Sequence, residues 1–172
     1  MSSDIPYKVA VLCYLYDADD RLLMLHRAKN PNKGMYSPIG GKLEQQLGEG
    51  PHQCAVREIH EEAGIIVSED ELHLMGIVSE CAYEGQAHWL IFLFEVKRTI
   101  HPDEITLMDM DEGMLEWIPE DQLESLELPA TDRAIMMPLV KEHRGGYFQV
   151  HIDCSTDPVT SKVCESWKSV MV

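Results

Sequence analysis

No apolar run in this 172-residue chain approaches the roughly 18 residues that a membrane-spanning helix needs. The N-terminus, Met1-Ser2-Ser3-Asp4, lacks a basic segment followed by an apolar one, so no secretory signal is expected. Cysteine is scarce and odd in number, five in all, without CxxC spacing, which removes the usual zinc and disulfide frameworks. Cys13 falls in an apolar strand and Cys54 in a helix, as expected of reduced thiols in a cytoplasmic protein. Cations are few: 14 Lys and Arg face 30 Asp and Glu, a formal net charge of −16. Such a balance argues against a surface for duplex nucleic acid. There is no Gly-rich Walker segment and no Ser or Cys in the context of an activated nucleophile. The histidines form no metal-type pair at helical spacing. With neither internal repeat nor linker, residues 1–172 are expected to form a single domain, a monomer or homodimer.

What the chain does have is acid in an awkward place. Pro51–Ala63 reads as a helix, with Gly50-Pro51 at its start and Gly64 as its C-terminal cap. Residues three and four apart are neighbours on a helix, so Glu58, Glu61 and Glu62 share one face. Val56, Ile59 and Ala63 fall opposite, an apolar stripe suited to a core. The acids crowd the end where the helix dipole is already negative, and each costs about 0.3–1 kcal/mol there. Clustered carboxylate oxygens suit a hard divalent cation, Mg²⁺ with Mn²⁺ as a substitute.

The rest of the chain alternates strands and helices. Lys8–Tyr16 is apolar and β-rich, Asp17–Asp20 makes a turn, and Arg21–Arg27 is its expected hairpin partner. Met35–Gly41, Leu74–Glu80, His88–Lys97 and Leu115–Ile118 read as further strands, with an acidic connection over Thr99–Asp111. Pro119 begins a second acidic helical stretch, and Pro129–His143 is an expected helix with a kink at Pro138. Tyr147–Asp153 and Lys162–Val170 look like a terminal hairpin. The pattern predicts an α/β fold with a mixed sheet between helices.

Gly41, Glu49 and Arg57-Glu58-Ile59-His60-Glu61-Glu62-Ala63-Gly64-Ile65 together resemble the Nudix box of nucleoside-diphosphate-X hydrolases. From Glu49 to Ile65 every fixed position of that pattern is met. Upstream, seven residues rather than five separate Gly41 from Glu49, and Gln45-Gln46 reads as the insertion. Lys33–Lys42, the acidic segment Asp111–Trp117 and Gly146-Tyr147-Phe148 are similar, more weakly, to MutT-like nucleotide sanitisers. The resemblance implies a Nudix-type α/β/α sandwich and hydrolysis of a nucleoside diphosphate linked to a further moiety. The favoured substrates are nucleoside triphosphates, oxidised ones included, giving monophosphate and pyrophosphate. Dinucleoside polyphosphates or nucleotide sugars are the alternative, and a non-catalytic nucleotide-binding module is a third reading.

The resemblance also distributes roles. Glu58, Glu61 and Glu62, with the backbone carbonyl of Gly40 and the side chain of Glu112, would form the metal site. Catalytic candidates are Glu58, Arg57 and Glu61, with the base left open between Glu58, Glu112 and a carboxylate on a neighbouring loop. The planar fork of Arg57 suits holding a glutamate, Glu49 or a ligand. Arg27 and Lys42 are candidates for phosphate, Trp117 and Tyr36 for stacking on a purine, and Asp132 for reading its edge. Ser37 stands where those enzymes often carry an amide that reads the base, and it is shorter.

Overall fold

The computed structural model describes residues 4–107 and 109–170; Met1, Ser2, Ser3 and Met108 of the segments discussed above lie outside it. Nine strands form a mixed sheet: β1 Tyr7–Tyr14, β2 Leu22–Arg27, β3 Tyr36–Lys42, β4 Leu72–Tyr83, β5 Ala87–Val96, β6 Asp109–Met110, β7 Gly113–Ile118, β8 Tyr147–Asp153 and β9 Thr160–Trp167. Their order is β6-β7-β2-β3-β1-β5-β4-β8-β9. Pairing is antiparallel except between β1 and β5 and between β4 and β8. Helix α1, Pro51–Ala63, covers one face, and a helical segment ending in α2, Met137–Glu142, covers the other. The architecture is the expected α/β/α arrangement.

Each face carries its own core. On the α1 side, Ile59, Ala63, Cys54 and Ala55 pack with Val11, Cys13, Ile39 and Phe94. On the opposite side, Met136 and Val140 pack with Tyr14, Met24, Val78, Leu93 and Phe148. Strands covered on both faces read as near-continuous apolar runs, which explains segments such as Val9–Tyr16 and Trp89–Phe94.

That double burial also corrects the expected hairpin between the first two strands. β1 pairs with β3 and β5, while β2 pairs with β3 and β7. Among the described residues, the chain after β1 pairs with β2 near their turn, through the Tyr16–Leu22 bridge and the Leu23 N–H donating to Leu15 O at 2.9 Å. β3 is inserted between them, so its glycines lie in mid-sheet rather than at an edge. The acidic stretch after Pro119 is a 3₁₀ turn, Glu120–Ser125. The Pro129–His143 helix is present but widens to a π-helix over Asp132–Met136, immediately before Pro138. Met137 N–H donates to Asp132 O, five residues back, and Pro138 has no N–H with which to continue an α ladder. No helix among the described residues is long and apolar enough to cross a membrane.

Candidate active site

The site grows from how α1 docks on β1 and β3. Burial of Ile59 and Ala63 rotates the three acids into unequal environments. Glu58 and Glu62 are buried at 9% and 6% exposure, whereas the Glu61 side chain is 55% exposed. Glu62 accepts a hydrogen bond from Gly40 N–H at 3.3 Å, which ties the helix to mid-β3. Gly64 closes the helix in the left-handed region, φ 69°, its N–H donating to His60 O.

Gly41 permits this approach, and Gly40 permits close packing of β3 on β1. A Cβ on Gly41 would stand 2.2 Å from Glu58 Oε1, and one on Gly40 would stand 2.1 Å from Val11 O. Any side chain at Gly41 would therefore displace the Glu58 carboxylate. The backbone itself is the wall of the site.

Arg57 organises the acids. Its Nε and Nη2 donate to the two oxygens of Glu49 at 2.7 and 2.9 Å, a bidentate fork. Nη1 donates to Glu58 Oε1 at 2.8 Å and to Glu61 Oε2 at 3.1 Å, and Nη2 reaches Lys42 O at 3.2 Å. Glu49 also accepts from Glu44 N–H at 2.8 Å, closing the loop before α1. Gln45 and Gln46, read above as an insertion, sit in an exposed 3₁₀ turn, Gln45–Leu47, which Gly48 ends at φ 67°. The turn lies in solvent and the Glu49–Arg57 clamp forms beyond it.

Charge is distributed unevenly. The Arg57 guanidinium holds the Glu49 carboxyl down at about 2. Burial pushes Glu58 up. Burial, then the neighbouring Glu58 charge, pushes Glu62 up to about 8. Glu112, exposed in the turn between β6 and β7, raises both by its charge, and Arg27 opposes it at Glu62.

Among the described residues, no three side chains stand ready as a metal cage. Glu61 is turned to Arg57, and Glu58 shares one of its oxygens with it. The chemistry nevertheless fits a hard cation: two buried carboxylates, each destabilised in its charged form, beside a glycine backbone. Mg²⁺ keeps several waters and needs only one or two protein carboxylates. Glu58 and Glu62 are those that would hold it.

The remaining candidates divide by face. Arg27 lies close enough to influence Glu62, with its Nε donating to Pro31 O at 2.8 Å. Lys42 is exposed at the end of β3. Ser37 pairs with Leu25, a residue of the α1-side core, and Trp117 packs against that same core. Tyr36 donates its hydroxyl hydrogen to Glu116 Oε2 at 2.6 Å and stacks on His26. Asp132 is on the other side, where its charge reaches Tyr14. The structure thus groups Glu58, Glu61, Glu62, Arg57, Arg27, Gly40 and Glu112, leaves Trp117 in the core on that same face, and sets Asp132 apart on the other. Sequence reasoning missed Glu80 and Thr131, both buried near Asp132. The strand period offered a signal, because Glu80 stands two residues after the inward-facing Val78.

The family model described as the NUDIX domain matches residues 6–140. The chain is similar to the ADP-ribose pyrophosphatase of Methanocaldococcus jannaschii, 31% identical over 80 residues, 46% of this chain and 45% of that protein. The chain therefore matches less than half of that relative's length. A MutT protein from Bacillus halodurans superposes with a TM-score of 0.67 at 28% identity, over 93% of this chain and 96% of that one. The NUDIX domain of NrtR from Shewanella oneidensis, solved with ADP-ribose, shares the fold at a TM-score of 0.62 and 14% identity, over 80% of this chain and 86% of that one. With the family match running through most of the sheet and all of the acidic helix, the chain belongs to the NUDIX domain family.

Proposed function

We propose that the protein is a Mg²⁺-dependent pyrophosphohydrolase that cleaves nucleoside triphosphates, oxidised ones included, to monophosphate and pyrophosphate. The observation that carries this reading is the buried Glu58–Glu62 pair against Gly40, with Arg57 clamping Glu49, Glu58 and Glu61. A divalent cation held there supplies charge neutralisation on the phosphates and activation of water. The chain does the rest. Gly41 leaves room for the Glu58 carboxylate beside β3, and Arg27 and Lys42 bring positive charge to an otherwise acidic surface. Water attacks phosphorus directly, the P–O bond to the departing pyrophosphate breaks, and a carboxylate takes the water proton. Glu58 is the favoured base and Glu112 the alternative.

A second reading is favoured by one observation, the 31% identity to a protein named ADP-ribose pyrophosphatase. Under it, the substrate is a nucleotide sugar of that kind. A panel of nucleoside triphosphates, dinucleoside polyphosphates and ADP-ribose, assayed across a Mg²⁺ titration, separates the readings by product. Pyrophosphate released from triphosphates, and lost on chelation, is the expected result. Cleavage confined to ADP-ribose overturns it in favour of the second reading, and nucleotide binding without cleavage overturns both.

A further inference from the structure

Beyond β8 the sheet finishes on an exposed strand. β9 is outermost in the order β4-β8-β9, and all eight of its residues, Thr160–Trp167, are exposed. Its outer edge has no strand partner among the described residues. Apolar surface collects there: Val159, Val163, Trp167 and Val170 are four of the nine large apolar side chains exposed among the described residues. The open N–H and C=O groups of an edge pair readily with another strand, so proteins blunt such edges with proline, several charges or a covering loop. β9 has no proline, and its only charges are Lys162 and Glu165. Neither forms an ion pair among the described residues.

The register of β9 makes it complementary to itself. Glu165 pairs with Gln149 of β8 and Val163 with Val150, so Cys164 is an extra residue, a bulge. Thr160, Ser161 and Lys162 form the rungs before the bulge, and Glu165, Ser166 and Trp167 form those after it. Lys162 pairs with His151 and Glu165 with Gln149, two residues apart on β8, so both charges share one face of the sheet. Without the bulge, their spacing would put them on opposite faces. A two-fold axis through the bulge, perpendicular to the sheet, therefore brings matching rungs of a second copy into antiparallel register. Lys162 meets Glu165 of the second copy, Ser161 meets Ser166, and Val163 lies beside its own counterpart. Opposite charges facing each other across antiparallel strands stabilise the pairing, and like charges oppose it. The two-fold makes every such pair twice and closes the assembly at two chains.

We propose that the protein forms a dimer by antiparallel pairing of β9 with β9 of a second copy, its register set by two Lys162–Glu165 ion pairs. The sheet then continues across the two-fold into that of the second copy. β9 lies five strands from β3 in the sheet order, roughly 24 Å at the usual spacing, so both acidic helices stay clear of the contact. A contact along one strand is smaller than the roughly 1,200–2,000 Å² of standard interfaces, which places the association at micromolar concentrations.

Sedimentation velocity of the full chain from about 1 to 300 μM tests this, with reductant present so that no Cys164 disulfide contributes. The wild type should pass from monomer to dimer over that range and go no further. Lys162→Glu and Glu165→Lys each set like charges opposite one another at both rungs, and each should weaken the dimer about tenfold or more. Both side chains are exposed, so Tm should not change. The double variant restores opposite charges in reversed positions, and its dimer should return to within about threefold of the wild type. That recovery separates a specific register from general damage to the strand. A wild type that stays monomeric throughout, growth beyond two chains, or a double variant as weak as the single ones overturns the proposal.

Discussion

Glu62→Gln will make the metal-free protein more stable at neutral pH and cripple its hydrolysis. The carboxyl of Glu62 is raised from 4.5 to about 8, by burial first and by Glu58 second. The folded chain then binds that proton more tightly than the unfolded chain does. Its contribution to stability is full below pH 4.5 and is lost as pH rises toward about 8. Glutamine keeps an oxygen for the Gly40 N–H and never ionises. The gain on substitution should be absent near pH 4 and reach the order of 2 kcal/mol, or about 5 °C in Tm, by pH 7–8. Turnover should fall roughly a hundredfold or more. Thermal melts in chelator across that pH range, set beside initial rates with Mg²⁺, check both arms. A fall in Tm at neutral pH would make Glu62 a structural residue and sink the functional account of its burial.

Arg57→Ala should damage stability and activity together. It removes the fork on Glu49 and the bonds to Glu58, Glu61 and Lys42 O, and leaves Glu49, with a side chain 10% exposed, without its cation and with only the Glu44 N–H. Charge-assisted bonds of this kind place the loss at about 2–3 kcal/mol. Arg57→Lys should recover little, because an ammonium cannot form the two-pronged contact. The acid limb carries the signature of the pair. Glu49 is held at about 2, below its ordinary 4.5. The stability it adds is full above pH 4.5 and drains away as pH falls toward 2. Denaturant melts of the wild type, Arg57→Ala, Glu49→Gln and the double variant should show strong coupling at pH 7 that fades in acid. Additive losses at pH 7 would mean that the clamp contributes nothing as a unit.

How much of this was legible in the sequence depended on whether a local rule applied. The helix over Pro51–Ala63, its Pro start and its Gly64 cap follow from chemistry confined to a few residues, and the structure has them as read. The Arg57–Glu49 fork was within reach of the same reasoning, since the type of side chain names its partner. The unequal burial of Glu58, Glu61 and Glu62 was not. Shared helical spacing puts three residues on one face, but the tilt of α1 on β1 and β3 decides which of them is dry. The β1–β2 hairpin failed for a related reason. Strands buried on both sides carry no inward-outward alternation, so adjacency in sequence was the only guide to partner, and long-range burial overrode it by inserting β3.

The central claim is that Glu58 and Glu62 together hold a divalent cation over a phosphoanhydride. Electron paramagnetic resonance of Mn²⁺ titrated into the protein, with and without a non-hydrolysable nucleoside triphosphate, tests it most directly. Free Mn²⁺ should disappear from the spectrum as wild-type protein is added, more completely with nucleotide present, and Glu58→Gln with Glu62→Gln should restore the free signal in the folded variant. Undiminished free Mn²⁺ beside the wild type and nucleotide, or equal capture by the doubly substituted protein, would contradict it.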